Sequence, residues 1–153
     1  MTRAFTEILI LVLNVASADT LALIAGSLQK VMNNMDEAAF QNFVKQLHKS
    51  LQRSPYQITT STLHIIALIP YFIIFGFSNW WFIGGAIVSV AASTLVSKPL
   101  ILPTYQKIYN ALESSDTAGL REWRQKLQTR NRFRAVIQFV SVALMVIGLF
   151  GIS

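Results

Sequence analysis

The stretch from Ile8 to Leu28, ILILVLNVASADTLALIAGSL, decides how many helices of this chain cross a membrane. It has two interpretations. Ala16-Ser17-Ala18 has the small-x-small pattern that signal peptidase cleaves, which would leave Asp19 at the start of a mature chain. Without cleavage, the stretch has the roughly 20 apolar residues that a transmembrane helix needs, and Asp19 lies inside that helix.

The charges around this stretch favour the second interpretation. A cleavable signal has a basic segment before its apolar core, but here Arg3 is offset by Glu7. The apolar run also continues past Ala18 through LALIAG, which completes a full span. We therefore expect an uncut transmembrane helix with a carboxylate inside it.

The composition of the whole chain is typical of a membrane protein. Of its 153 residues, 53% are hydrophobic and 13% are charged, whereas soluble domains have about a quarter charged residues. Four apolar runs predict transmembrane spans at about 5–28, 57–77, 80–98 and 132–152. The sequence therefore predicts an all-α, integral membrane four-helix bundle in a single domain, 1–153.

The basic residues predict the orientation of this bundle. Twelve of the 13 Lys and Arg residues lie in or beside the two loops that follow the first and third spans. Only Arg3 lies on the other side. The positive-inside rule places those two loops in the cytoplasm and both termini outside, most simply in a plasma (inner) membrane. We expect the lipid bilayer as the partner of the basic loops, and no nucleic acid.

Both long loops are predicted to be helical, over about 36–53, 104–113 and 117–130. In the first, apolar residues recur at helical spacing with Lys45, Gln46 and Lys49 opposite them. Such helices lie at the membrane surface or pack on the inner end of the bundle, and a calmodulin-like target helix is the alternative. The apolar positions of the first loop helix are Phe40, Phe43, Val44, Leu47 and Leu51.

Counting residues predicts a polar layer in the cytoplasmic half of the bundle. Asp19 and His64 lie roughly 13 Å and 12 Å from the inner ends of their helices at 1.5 Å per residue. A lone charge at mid-bilayer costs about 2.5–3.5 kcal/mol, so we expect Asp19 to face a helix interface and Asn14 to face another neighbour. Either the layer locks the helices by a buried hydrogen bond, or it binds a ligand or a proton. Its other predicted members are Gln138, Arg134 and Ser93.

Three segments resemble a known family. They are AFQNFVKQLHKS in the first loop, LPTYQKI after the third span, and WRQKLQTRNRFRAVIQF, Trp123 to Phe139. The last is similar to the Trp…Asn-x-x-Arg entry into the final helix of the anthrone-oxygenase-like family of small four-helix membrane proteins. Trp123, Asn131 and Arg134 match that pattern. In LPTYQKI, Tyr105 stands where the asparagine of a Pro-x-Asn motif is expected.

The resemblance implies oxidation of an anthrone, a polycyclic phenolic ketone, by O2 without a cofactor. We expect His64, tuned by Asp19, to be the catalytic base, and Arg134 to stabilise the enolate oxygen together with Asn131. Trp123, Gln138 and Ser93 are the other predicted binding residues, and no metal site is expected. The alternatives are a non-catalytic membrane subunit or scaffold of a larger complex, and a small protein that binds or transports a lipophile. The expected partners of the chain besides the bilayer are a lipophilic small molecule and either a second copy of the chain or a partner membrane subunit.

Overall fold

The computed structural model describes residues 2–53 and 55–151. It does not describe the side chains of Lys45, His48, Lys49 and His64, or those of 51–53, 56–61 and 96–98. All regular secondary structure in the described part is helical. The predicted all-α class is therefore confirmed.

Seven α-helices and two π-helical segments follow one another along the described chain. The π-helical segments, Ile24–Leu28 and Ala92–Ile101, continue the helices before them without a break. Pro99 lies in the second, and a proline removes a backbone donor and crowds the preceding turn, which favours a wider helix. The α-helices are α1 Arg3–Leu23, α2 Gln29–Asn33, α3 Glu37–Arg53, α4 Pro55–Phe75, α5 Trp80–Ala91, α6 Leu102–Glu113 and α7 Thr117–Phe150.

Two predicted breaks in the helices are absent. The loop helix at 117–130 and the span at 132–152 form one helix, α7, because QTRNRFR contains neither glycine nor proline. At the end of the third span, KPLILP (Lys98 to Pro103) spans the end of the π-helical segment, and the helix continues directly into α6. At both places the loop helix and the span therefore form one continuous helical run.

Three helical runs are long and apolar enough to cross a membrane: Arg3–Asn33, Trp80–Glu113 and Thr117–Phe150. The described part of α4 contributes a shorter apolar segment, Ile65–Phe75. At 1.5 Å per residue α7 is about 51 Å long, so it exceeds a hydrocarbon core of about 30 Å. These helices fit a membrane protein in which one end of the bundle projects beyond the bilayer.

The helices pack in the order α4, α1, α7, α5, with α6 also on α7. One apolar core, around Ile10, Tyr71 and Phe82, lies near the turn that joins α4 to α5; we call this the hairpin end. A second, around Met32, Phe40 and Leu127, joins the loop helices at the opposite end, the loop end. Phe40 and Val44 of the predicted amphipathic stripe are buried there, so the stripe packs on the bundle.

Candidate functional site

A buried carboxylate closes the hairpin end. Glu7 is only 5% exposed, and its Oε1 accepts hydrogen bonds from the Tyr71 hydroxyl at 2.6 Å, Arg3 Nε at 2.9 Å and Asn79 Nδ2 at 3.1 Å. Asn79 also caps α5 and donates to the Gly148 carbonyl at 3.1 Å. These bonds link α1, α4, α5 and α7. Each of the three donors around Glu7 Oε1 has this oxygen as its acceptor, which is typical of a buried hydrogen-bond network that holds helices together, here called a structural lock.

The Tyr71→Phe variant tests this lock. The ring contacts of Tyr71 with Phe75 and Phe82 should persist, and only the hydrogen bond to Glu7 is lost. We expect the free energy of unfolding in mixed micelles to fall by about 1 kcal/mol. A double-mutant cycle with Glu7→Gln should return a similar coupling energy; strict additivity of the two variants would contradict the lock.

A buried polar network lies between the two apolar cores, and Asn14 is its centre. Asn14 is 0% exposed; its Nδ2 donates to Ser141 Oγ at 2.8 Å, and its Oδ1 accepts from Ser89 Oγ at 2.8 Å and from Gln138 Nε2. Gln138 Nε2 also contacts Ser89 Oγ at 2.9 Å, and Ser141 Oγ donates to the Gly85 carbonyl at 2.7 Å. The network thus joins α1, α5 and α7 at mid-bundle.

The predicted polar layer is only partly this network. Gln138 belongs to it, but Ser93 donates to the Ser89 carbonyl of its own helix at 3.0 Å. Asp19 is exposed on the outer face of α1, so the prediction that it faces a helix interface is wrong for the described part of this bundle; Asn14 holds the inward position. The side chain of His64 lies outside the described residues, so its pairing with Asp19 stays a prediction.

The loop end carries a chain of side-chain amides. Asn131 Nδ2 donates to Gln29 Oε1 at 3.3 Å, Gln29 Nε2 to Asn33 Oδ1 at 3.1 Å, and Asn33 Nδ2 to Gln128 Oε1 at 3.2 Å. Trp123 is partly buried against the apolar core of the loop end, and Lys126 Nζ lies 4.2 Å from its ring centroid. Trp123 therefore serves packing here, and Asn131 holds α7 to α2.

The arginines of α7 differ in their partners. Arg124 donates to the carbonyls of Met32 and Met35 and stacks on Phe40, 4.0 Å from the ring centroid. Arg130 donates to the Leu100 carbonyl at 2.7 Å and to Thr104.

Arg134 is the exception among these cations. Its Nε is buried and has no hydrogen-bond partner, the one such side-chain atom in the described part of the chain. Arg134 as a whole is half-buried, and the Tyr105 phenol is close enough to interact with the charge of its guanidinium. A buried guanidinium donor without an acceptor is costly, because it has lost water and gained nothing in return.

An apolar cleft separates α4 from α5. Because α4 packs on α1 and α5 packs on α7, the two hairpin helices diverge and leave about 400 Å³ between them. Thr94 is the single polar lining residue, and its hydroxyl already donates to the Val90 carbonyl at 2.7 Å. The other lining residues are Leu68, Phe72, Ala86, Ile87, Val90, Ala91 and Leu95.

No family model, curated protein or solved structure matches this chain. The resemblance drawn from Trp123, Asn131 and Arg134 therefore stays a hypothesis. Within the described residues, no three carboxylate or imidazole side chains come together as a metal site would require.

Sequence reasoning expected Asn14 to face a neighbouring helix but did not select it as the centre of the network, and it missed Ser89. A signal for the central place of Asn14 exists. Glu7, Ile10, Asn14 and Ser17 follow one another at spacings of three and four, so they share one face of α1. All four are buried. Aligning polar residues by helical face, and not only by depth, would have selected Asn14 over Asp19.

Proposed function

We propose that this chain is a four-span membrane protein that binds a lipophilic small molecule bearing an acidic oxygen, with Arg134 as the group that holds the oxygen. The fourth span in this proposal is α4, a 21-residue helix whose described half is apolar. The positive-inside rule then supports a cytoplasmic loop end and an outward hairpin end.

The unpartnered Nε of Arg134 carries the proposal. Arg124 and Arg130 meet carbonyl oxygens of their own chain, whereas Arg134 Nε is left without an acceptor. A phenolate, enolate or carboxylate oxygen would supply one, and hydrogen bonds between charged groups are the strongest that side chains make. The intermediate exposure of Arg134 supports access for such an oxygen from outside the chain.

The cleft between α4 and α5 supports the lipophilic half of the proposal. Its volume of about 400 Å³ is in the range of small-molecule sites, and its lining is almost wholly apolar. Its loop-end border, Thr94 and Leu95, belongs to the π-helical segment that packs on α7 and holds Arg130 through the Leu100 carbonyl. π-Helical segments are rare and often mark functional sites.

If the molecule is an anthrone, the implied reaction converts its CH2 group and O2 into a carbonyl and water. A base removes one proton from the CH2 group, and the resulting enolate oxygen is the anion that Arg134 would stabilise. His64 remains the proposed base, and Asn131 remains proposed to stabilise the enolate oxygen together with Arg134. Asp19 is exposed and is dropped from the proposed site.

An Arg134→Met variant tests the binding proposal, with Arg132→Met as the matched control because Arg132 is exposed on the same helix. With 1,8-dihydroxyanthrone as probe, we expect Arg134→Met to raise Kd by about 10- to 100-fold, since a charge-assisted hydrogen bond contributes about 1.5–3 kcal/mol. Arg132→Met should stay within about twofold. Tryptophan quenching of the protein in nanodiscs measures both.

Stability without the probe separates a binding role from a structural one. Removing an unpartnered buried donor should leave the Tm of Arg134→Met unchanged or raise it. A lower Tm together with weaker binding would show that Arg134 stabilises the fold, and the binding proposal would fail. Oxygen consumption with the same anthrone then tests the chemistry: His64→Ala and Arg134→Met should each abolish turnover, and unchanged turnover in both refutes the catalytic assignment.

A further inference from the structure

The carboxylate of Asp19 lies on the face of α1 that points away from the bundle. The residues one turn before and after it, Val15 and Leu23, are 44% and 54% exposed, whereas Asn14 and Ala18 are buried. Asp19 makes no hydrogen bond or ion pair with any described residue. The same face continues through exposed Val12 to Gly26, where an added Cβ would meet nothing within 4 Å.

This face lies well inside the apolar part of the span. Asp19 is twelve residues from Glu7 at the hairpin end, about 18 Å at 1.5 Å per residue. It is eleven residues from Lys30, about 16 Å from the loop end of the same apolar run. A short carboxylate side chain cannot reach water from that depth, in contrast to Lys or Arg, which snorkel to the interface.

We propose that the Asp19 face of α1 docks a transmembrane helix of another protein that carries a lysine, arginine or histidine at the depth of Asp19. Intramembrane charges are retained where they pair, and charge complementarity selects a cation. A second copy fits less well, because like faces would bring two Asp19 carboxylates together at equal depth. Small Ala16, Ala22 and Gly26 beside the carboxylate allow the two backbones to approach closely.

The described basic side chains of a second copy do not match this depth. Arg132 is exposed on α7 but lies sixteen residues from Gly148, about 24 Å from the hairpin end and nearer the loop end than Asp19. Among the described cationic side chains Arg134 is the nearest in depth, and its Nε is buried inside its own chain. A helix of another protein would therefore supply a cation at the depth of Asp19, which the described part of this chain does not.

The experiment uses a 21-residue leucine-rich peptide with one central lysine, and a norleucine peptide of the same length as control. Energy transfer between labelled peptide and labelled full-length protein in phosphatidylcholine vesicles reports association. We expect the lysine peptide to bind wild type at least about tenfold more tightly than the norleucine peptide. Asp19→Leu should remove that difference, whereas Val12→Leu on the same face should retain it.

Moving the carboxylate makes the test specific for depth. In the double variant Asp19→Leu/Leu23→Asp the carboxylate lies one turn nearer the loop end, so the best lysine position in a peptide series should move by about four residues. Equal binding of lysine and norleucine peptides, or a preference that does not follow the carboxylate, overturns the proposal. Self-association of wild type without peptide that Asp19→Leu abolishes also overturns it, because a second copy then covers the face. None of these results depends on Arg134, so the binding proposal is tested separately.

Discussion

Replacing Asn14 with leucine is expected to lower the free energy of unfolding by about 3 kcal/mol or more. Asn14 Oδ1 accepts from Ser89 and Gln138, and its Nδ2 donates to Ser141, so one substitution removes buried hydrogen bonds to two other helices. Each buried group that loses its partner costs about 1–3 kcal/mol, and measured values in membrane bundles lie at the lower end. Unfolding in mixed micelles measures the loss.

Two further variants decide whether this loss comes from the network. Val15→Leu changes the adjacent, exposed residue and should leave the stability within about 0.5 kcal/mol of wild type. Combining Asn14→Leu with Gln138→Leu and Ser89→Ala should recover much of the loss, because the polar groups that bonded to Asn14 Oδ1 are gone and Ser141 still donates to the Gly85 carbonyl. Losses that simply add across the three sites would contradict a shared network.

Gly85→Leu is expected to be as damaging, while Gly84→Leu is expected to be nearly silent. A Cβ at position 85 would lie 2.7 Å from the Ser141 carbonyl oxygen and 2.9 Å from the Met145 nitrogen, both backbone atoms of α7. Backbone atoms cannot rotate away, so α5 and α7 would have to separate, at a cost of about 3 kcal/mol. A Cβ at position 84 meets nothing within 4 Å.

This adjacent pair isolates the helix contact from helix propensity. Both substitutions replace glycine with leucine in the same helix, so any gain in helix propensity is nearly equal. The difference in Tm between the two variants therefore reports the close approach of α5 to α7. Similar melting temperatures for Gly85→Leu and Gly84→Leu would show that the two helices are not in contact at this position.

The helical architecture was largely predictable from residue spacing. The apolar runs near α1, α5 and α7 are long and apolar enough to cross a membrane, and the stripe through Phe40 and Val44 packs as its periodicity predicts. The continuity of α7 was missed because a change from polar to apolar composition was read as a boundary. Composition changes where a helix leaves the membrane, and such a change does not by itself end the helix, as α7 shows.

The site was less predictable, as Asp19 and Asn14 illustrate. Residue counting along a helix measures depth, and both residues were assigned to the inside of the first span. Which of them faces the bundle depends on where α7 and α5 lie around α1, and that arrangement follows from contacts more than a hundred residues apart in the chain. The lack of a partner for Arg134 Nε has the same origin, because Leu100 and Thr104 are positioned to bind Arg130 instead.

By itself, the sequence determined that this is a helical chain with spans of membrane length, and that a few polar residues lie within them. Hydrophobicity and periodicity are local properties, and they are sufficient for that conclusion. Only the tertiary structure decided which polar residue is satisfied inside the bundle, which is exposed, and which cation lacks an acceptor. Those outcomes depend on the rotation of each helix about its axis and on the identity of its neighbours, and both are set by packing across the whole chain.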